Sequence, residues 1–132
     1  MNPTYLVDTD WVIHYLNGNK EIVAMLSSLG SGQLAMSVIS LAELYEGVYY
    51  STNPEKNEKV LSDFLSGILI LGIEDDICKV FGRERGKLRK QGAMIGDFDL
   101  VIASTCLRHG LTLLSNNRSH FERIAGLSIE SS

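Results

Sequence analysis

The stretch GDFDLVIAST, residues 96–105, places two acidic residues directly before an apolar run of helical length. A helix that is apolar nearly all round, here over residues 100–107, is typical of a core position. Its N-terminus brings Asp97 and Asp99 to the edge of the core, where carboxylates need a positive partner. The stretch therefore predicts a buried helix with an acidic site at its start.

Length and composition limit the class of protein. The 132 residues predict one domain, residues 1–132, with room for a sizeable core. Twelve Lys and Arg against 16 Asp and Glu give a net charge of −4, which argues against a general nucleic-acid-coating protein. Cys78 and Cys106 fall in apolar helical patterns and are expected to be reduced core residues. With no signal-peptide pattern and no apolar run of membrane length in view, we expect a cytoplasmic protein.

Strand and helix patterns alternate along the chain. Helical patterns separate five β-prone runs, at residues 4–7, 34–39, 68–73, 111–114 and 127–129. The third run is continuously apolar, which is typical of a strand buried on both faces of a parallel sheet. The alternation predicts an α/β fold with a mostly parallel central sheet of about five strands flanked by helices.

Four acidic residues lie where ligands of open parallel sheets bind, beyond the carboxyl ends of the strands. Asp8 ends the first predicted strand and Glu43 lies in the first turn after the second, while Asp97 and Asp99 open the helix before the fourth. Carboxylates about 4 Å apart repel by about 4 kcal/mol per pair at an effective dielectric of about 20. A divalent cation such as Mg²⁺ or Mn²⁺ removes that cost, because hard oxygen ligands suit it.

Each of these acids also has an explanation as a helix-capping residue. Asp8 is a good N-cap for the helix that follows it. Ser40 and Glu43 fit a capping box, and Asp97 or Asp99 can cap the apolar helix. For any single acid, capping is the more common role, so the metal interpretation depends on the four together.

Four blocks of the chain resemble those of PIN-domain ribonucleases, and most closely of VapC-type toxins of bacterial toxin–antitoxin pairs. They are LVDTD at residues 6–10, SVISLAELYEG at 37–47, IGDFDLVIA at 95–103, and LSNN at 114–117 with FERI and GL after it. The resemblance covers nearly the whole chain. It departs from the family at Asn117, where many members carry Asp, and at Ser115, which replaces a common Thr.

The resemblance implies a single PIN-like domain that hydrolyses RNA phosphodiester bonds with Mg²⁺, for which Mn²⁺ can substitute. It also implies a homodimer and a protein antitoxin that inserts a basic side chain among the acids. The implied catalytic acids are Asp8, Glu43, Asp99 and, as an additional nearby carboxylate, Asp97. The implied metal ligands are the same four acids with Asn117, and the supporting residues are Thr9, Ser40 and Ser115.

The densest basic stretch is RERGKLRK, residues 83–90, on a predicted long helix that leads to the acidic site. We name Arg83, Lys87, Arg89 and Lys90 the basic stripe and expect its side chains to bind RNA phosphates without reading sequence. The ordinary alternative is a solvated helix face.

Histidines and part of the apolar surface lie outside the motifs. His14, His109 and His120 lack a paired ligand spacing, so we expect structural or solvated roles for them. Apolar side chains on two helices exceed what one small core requires and belong either to the core or to a partner surface. These side chains are Trp11, Val12, Tyr15, Leu16, Leu44, Val48, Tyr49 and Tyr50.

Two other functions stay open from the residues alone. DTDWV at residues 8–12 also fits the start of a haloacid-dehalogenase-like phosphatase, which needs Asp8 as nucleophile and a Lys near the phosphate. A receiver-like module, phosphorylated in an acidic pocket, is the non-enzymatic alternative. It too expects a Lys where this chain has SNN at residues 115–117, and the phosphatase alternative leaves Glu43 unexplained.

Overall fold

The computed structural model describes residues 2–30 and 32–132, which form a five-stranded parallel sheet flanked by seven helices. The strands are β1 Tyr5–Val7, β2 Leu34–Ser37, β3 Leu69–Leu71, β4 Thr112–Leu114 and β5 Ile129–Glu130. The helices are α1 Thr9–Leu16, α2 Lys20–Ser27, α3 Val38–Tyr49, α4 Pro54–Leu65, α5 Asp75–Gln91, α6 Asp97–His109 and α7 Arg118–Phe121. The predicted α/β fold with a parallel sheet of about five strands is confirmed.

The strand order is β3-β2-β1-β4-β5. From β1, the chain adds β2 and β3 on one side of the sheet and then returns to add β4 and β5 on the other side. In open parallel sheets, ligands bind beyond the carboxyl ends of the strands at such a reversal, which here lies between β1 and β4. Val7 pairs with Leu114, and the Asp8 amide donates to the Leu114 carbonyl at 3.0 Å. The register therefore places Asp8 beside Ser115 at the carboxyl ends of the two strands.

Successive residues of the central strands point to opposite faces of the sheet, and each face carries its own core. Leu6 packs with Leu100 and Phe121 on the face covered by α6, whereas Val7 packs with Trp11 on the other face. The predicted burial of the α6 segment is confirmed, because most of the side chains from Leu100 onward in this helix are buried.

Three local predictions are wrong. β3 pairs only with β2, at one edge of the sheet, and Leu69 is 51% exposed, so this strand is not buried on both faces. Cys78 is exposed on α5, although Cys106 is buried as expected and burial raises the pKa of its thiol to about 12. Helix α3 begins at Val38 with Ser37 as its N-cap, so Ser40 and Glu43 form no capping box.

The two helices that lead into and form the site end as predicted. α5 closes at Gly92 and α6 at Gly110, both at φ +65°, a left-handed conformation that glycine adopts without strain. Over the residues that the structure describes, no helix combines the length and apolar character needed to cross a membrane.

Candidate active site

Asp8 lies at the carboxyl end of β1 and is the N-cap of α1. Its carboxylate accepts hydrogen bonds from the Thr9 amide at 2.8 Å and from Ser115 Oγ at 2.7 Å, and the residue is 4% exposed. Burial raises the pKa of Asp8 to about 6; repulsion from Asp10 and Asp99 adds to this, and the Ser115 hydrogen bond opposes it. At neutral pH the protein therefore holds a buried negative charge that its neighbours stabilise only in part.

Glu43 lies on α3 and reaches the Asp8 region through a hydroxyl. Thr9 Oγ1 donates to Glu43 Oε1 at 2.9 Å and makes a second hydrogen bond, at 2.8 Å, with Oγ of the fully buried Ser40. Because Thr9 follows Asp8 directly, one residue connects the two carboxylates. Because α3 begins at Val38 and not after Ser40, Ser40 lies within the helix and its side chain faces Thr9.

Asp99 is the third residue of α6. The N-cap of this helix is Gly96, and no side chain accepts a capping hydrogen bond there, so the capping roles considered for Asp97 and Asp99 are wrong. Asp99 Oδ2 instead lies 3.1 Å from His120 Nδ1 and 3.5 Å from Asn117 Nδ2. The Asp99 carboxylate is therefore directed toward the turn that follows β4.

That turn connects the two halves of the site. Ser115 Oγ, which donates to Asp8, also accepts a hydrogen bond from the backbone N–H of Asn117 at 3.0 Å. Between them, Asn116 Oδ1 accepts from the buried Trp11 Nε1 at 3.1 Å and from the Ser132 amide at 2.9 Å. Hydrogen bonds on both sides thus hold the turn in place. The turn brings the predicted site residues Ser115 and Asn117 into contact with Asp8 and Asp99, respectively.

His120 is a residue of this site that the sequence patterns did not reveal. The expectation of a structural or solvated role rested on the absence of a ligand spacing, yet its imidazole contacts both Asp99 and Asn117. The three-residue step from Asn117 to His120 puts both side chains on one side of the short helix α7. That spacing was the only local signal.

Asp97 is set apart from the other acids. Its carboxylate is 63% exposed and pairs with Arg85 Nε of α5 at 3.2 Å. Within the basic stripe, Lys87 Nζ pairs with Glu84 Oε2 at 3.1 Å, and the other three members are exposed on the same helix. The ion pair of Arg85 with Asp97 joins the basic helix to the start of α6.

Hydroxyl and amide groups link the carboxylates of the site. In residues 2–30 and 32–132, no three His, Cys, Asp or Glu side chains are arranged to hold an ion by themselves. Asp8, Glu43 and Asp99 nevertheless supply only oxygen donors, and the raised pKa of Asp8 reflects burial and repulsion that a cation relieves. The chemistry of these donors fits Mg²⁺ or Mn²⁺.

A groove of about 280 Å³ between α1, α3 and α4 opens beside Glu43. Trp11 and Val12, expected to belong either to the core or to a partner surface, are core residues, whereas Tyr50 is 89% exposed. The apolar lining of the groove consists of Ile13, Leu16, Leu44, Val48, Val60 and Leu61. Glu43, one of the site carboxylates, thus also lines a groove with many apolar side chains.

Comparison with known proteins identifies the family. Residues 5–127 match the PIN domain model. Ribonuclease VapC2 of Haemophilus influenzae is 36% identical over 126 residues, which cover 96% of both chains, and the tRNA(fMet)-specific endonuclease VapC of Shigella flexneri is 32% identical with the same coverage.

Solved structures agree with the sequence matches. VapBC2 from Rickettsia felis, bound to a DNA fragment from its promoter, matches with a TM-score of 0.91 at 32% identity over 98% of each chain. DNA-bound VapBC from Salmonella typhimurium matches with the same TM-score at 29% identity. These likenesses decide against the phosphatase and receiver alternatives. The chain belongs to the PIN-domain family, in its VapC branch.

Proposed function

We propose that this protein is a metal-dependent endoribonuclease that hydrolyses RNA phosphodiester bonds and acts as a growth-inhibiting toxin. The observation that carries the proposal is the buried Asp8 carboxylate, linked through hydroxyl and amide groups to Glu43 and Asp99 at the reversal point of the sheet. Relatives that match 96% of the chain are named ribonucleases. As the substrate is cellular RNA, we place the protein, a single domain over residues 1–132, in the cytoplasm.

The three carboxylates would hold Mg²⁺ or Mn²⁺, with Asn117 offering a neutral amide oxygen. The bound ion would neutralise charge on the scissile phosphate and activate a water as nucleophile. Asp97, which pairs with Arg85, would contribute charge near the site and no direct bond. No Ser or His nucleophile is required by this chemistry.

The hydroxyl groups would hold the carboxylates ready before RNA arrives. Ser115 fixes one oxygen of Asp8, and Thr9, supported by Ser40, fixes one oxygen of Glu43. A carboxylate held in this way loses little rotamer freedom when it binds a cation, so less of the binding energy goes into ordering it.

The basic stripe would position the RNA backbone. Because the net charge is −4, the cations of α5 form a local exception on an acidic protein. Their helix packs against α6, and Arg85 reaches the start of α6 at Asp97. Phosphates bound along α5 would therefore lead toward Asp99.

The groove beside Glu43 would receive the cognate antitoxin. Solved VapBC structures are toxin–antitoxin complexes, and an apolar segment of a VapB-like partner would fit the apolar lining. A basic side chain at the end of that segment would reach Glu43 and compensate the acids. We expect the toxin itself to be a homodimer.

Substitution of the site carboxylates tests this function. Asp8→Asn, Glu43→Gln and Asp99→Asn should each abolish cleavage of total cellular RNA in Mg²⁺ and relieve growth arrest in cells that express the toxin alone. Asp97→Asn serves as the matched control, since it removes an acid from the same helix and should reduce cleavage much less. Cleavage by Asp99→Asn at the parent rate would contradict the assignment of the metal site.

A further inference from the structure

We propose that the ring of Phe98 is a stacking platform for an RNA base next to the scissile phosphate. The inference rests on the proposed ribonuclease function and adds a substrate contact to it. It is motivated by the exposed phenylalanine that directly precedes the site carboxylate Asp99, for which neither the core nor the metal chemistry has a use.

Phe98 is exposed where the other phenylalanines are not. The chain has four of them, all within the described residues, and Phe64, Phe81 and Phe121 pack in or against the two cores. Within the same described residues, Phe98 is 52% exposed and packs in neither core. A phenylalanine ring carries no polar group, so the partner that covers its free face best is apolar or aromatic.

The ring lies on the side of α6 between the basic helix and the site. Asp97 is directed to Arg85 on α5. Asp99 is directed to the turn after β4, and Leu100 is fully buried. Successive residues of an α-helix are about 100° apart around its axis, since a turn takes about 3.6 residues. Phe98 therefore faces solvent between its two acidic neighbours.

An RNA strand that follows the cations of α5 to the site passes over this ring. Phosphates bound by the basic stripe lead toward Asp99, and Phe98 lies on that path. A single strand carries one base for each phosphate, and a base offers a flat aromatic face, which ribose and phosphate lack. Proteins that bind single strands combine these two features, a cationic track for the backbone and aromatic side chains on which bases stack.

The backbone that carries Phe98 is held in place before RNA arrives. Arg123 Nη1 donates to the Met94 carbonyl at 2.8 Å, and the next residue, Ile95, is buried. Leu100, two residues after Phe98, is fully buried. Because a phenylalanine side chain has only two torsions, stacking on it costs little conformational entropy. The ring is thus pre-organised to hold a base beside Asp99.

Stacking on Phe98 specifies the form of the substrate more than its sequence. A base can place its face on a side chain only after it has left the continuous stack of a duplex. Every base has such a face, so the contact tolerates all four. The substrate class that fits the site is therefore a single-stranded segment of RNA with an unstacked base at the cleavage position.

Abasic nucleotides combined with variants of Phe98 test the inference. The probe is a synthetic single-stranded RNA that spans a position cut by the parent, with one abasic nucleotide placed in turn on either side of that position. For the parent, one abasic position should lower kcat/KM about 5- to 150-fold, the range that base–aromatic stacking implies. Phe98→Leu, which is apolar but has no ring, should lose a similar factor on intact RNA and little more on abasic RNA. Phe98→Tyr should keep both the activity and the abasic effect.

Met94→Ala removes another exposed apolar side chain, four residues before Phe98, and is the control that should behave as the parent does. Photocrosslinking gives a readout independent of cleavage. A 5-iodouridine at the sensitive position should crosslink to Phe98 in Asp8→Asn, the variant expected to bind RNA without cutting it. The crosslink should be absent when Asp8→Asn is combined with Phe98→Leu.

An abasic effect of full size in Phe98→Leu, or no abasic effect in the parent, would overturn the inference. So would a Phe98→Leu protein that changes only its oligomeric state in light scattering, because the ring would then belong to a contact between copies of the chain. In each of these cases, loss of cleavage in Asp99→Asn would leave the proposed function standing. If the parent cuts no RNA at all, both fail.

Discussion

Asp8→Asn is expected to stabilise the metal-free protein by an amount that depends on pH. Burial, together with repulsion from Asp10 and Asp99, raises the pKa of Asp8 from 3.8 to about 6. At 1.36 kcal/mol per pKa unit, this shift of about two units corresponds to about 3 kcal/mol. Asn keeps the shape of the side chain but carries no charge, and its single oxygen can accept from Ser115 or from the Thr9 amide, not from both.

The sign of the effect follows from proton binding. In the unfolded chain the Asp8 carboxyl loses its proton near pH 3.8, whereas in the folded protein it keeps the proton up to about pH 6. Between these values the folded state binds more protons, so the stability of the parent falls as pH rises. The stability of the variant relative to the parent should therefore rise by about 3 kcal/mol between about pH 4 and pH 7, from a value at pH 4 that the lost hydrogen bond lowers.

Urea unfolding in EDTA between pH 4 and pH 8 measures this advantage. The single tryptophan, Trp11, is fully buried and reports unfolding by fluorescence. Asp63→Asn, which removes an exposed carboxylate on α4, is the control and should show no comparable pH-dependent gain. Added Mn²⁺ should stabilise the parent more than Asp8→Asn, because an ion bound only by the folded state stabilises it by mass action.

A stability difference between Asp8→Asn and the parent that stays constant across this pH range would refute the reasoning. So would a variant that becomes relatively less stable as pH rises. Either result would mean that the Asp8 carboxylate is well compensated by its hydrogen bonds, and the electrostatic support for a cation at this position would be lost.

Three further predictions concern the rest of the site. Replacing Arg83, Arg89 and Lys90 with Ala should flatten the salt dependence of RNA binding by about one unit of log–log slope per lost phosphate contact; an unchanged slope would make the stripe a solvated face. Asn116→Ala leaves the buried Trp11 Nε1 without its acceptor and should cost about 1–3 kcal/mol in urea unfolding; no loss would mean that water replaces the amide. Ile13→Asn in the groove should weaken antitoxin binding about tenfold in titration, with RNA cleavage by the free toxin unchanged; equal affinity would place the antitoxin elsewhere.

Much of the fold was predictable because its signals are local. The α5 and α6 helices end at Gly92 and Gly110, as the sequence indicates, and the acid after β1 caps the next helix. The position of β3 was not predictable in this way, because a continuous apolar run looks the same at the centre of a sheet as at its edge. Only the pairing pattern, which joins residues far apart in the chain, distinguishes the two.

The site shows the same division between local and distant information. Ser40 and Glu43 match a capping box, but Ser37 three residues earlier caps α3, which turns Ser40 toward Thr9. His120 escaped notice because its partner Asp99 lies 21 residues away and belongs to another helix. No spacing rule within one helix connects these two residues.

The ends left by RNA cleavage test the central claim most directly. If the carboxylates and a metal ion activate water, cleavage by the purified protein should require Mg²⁺ or Mn²⁺, stop in EDTA, and leave a linear phosphate monoester with ¹⁸O from labelled water. An RNA with a single 2′-deoxynucleotide at the scissile position should still be cut. Cleavage that continues in EDTA, leaves a 2′,3′-cyclic phosphate and fails on the 2′-deoxy substrate would contradict a metal-activated water at this site.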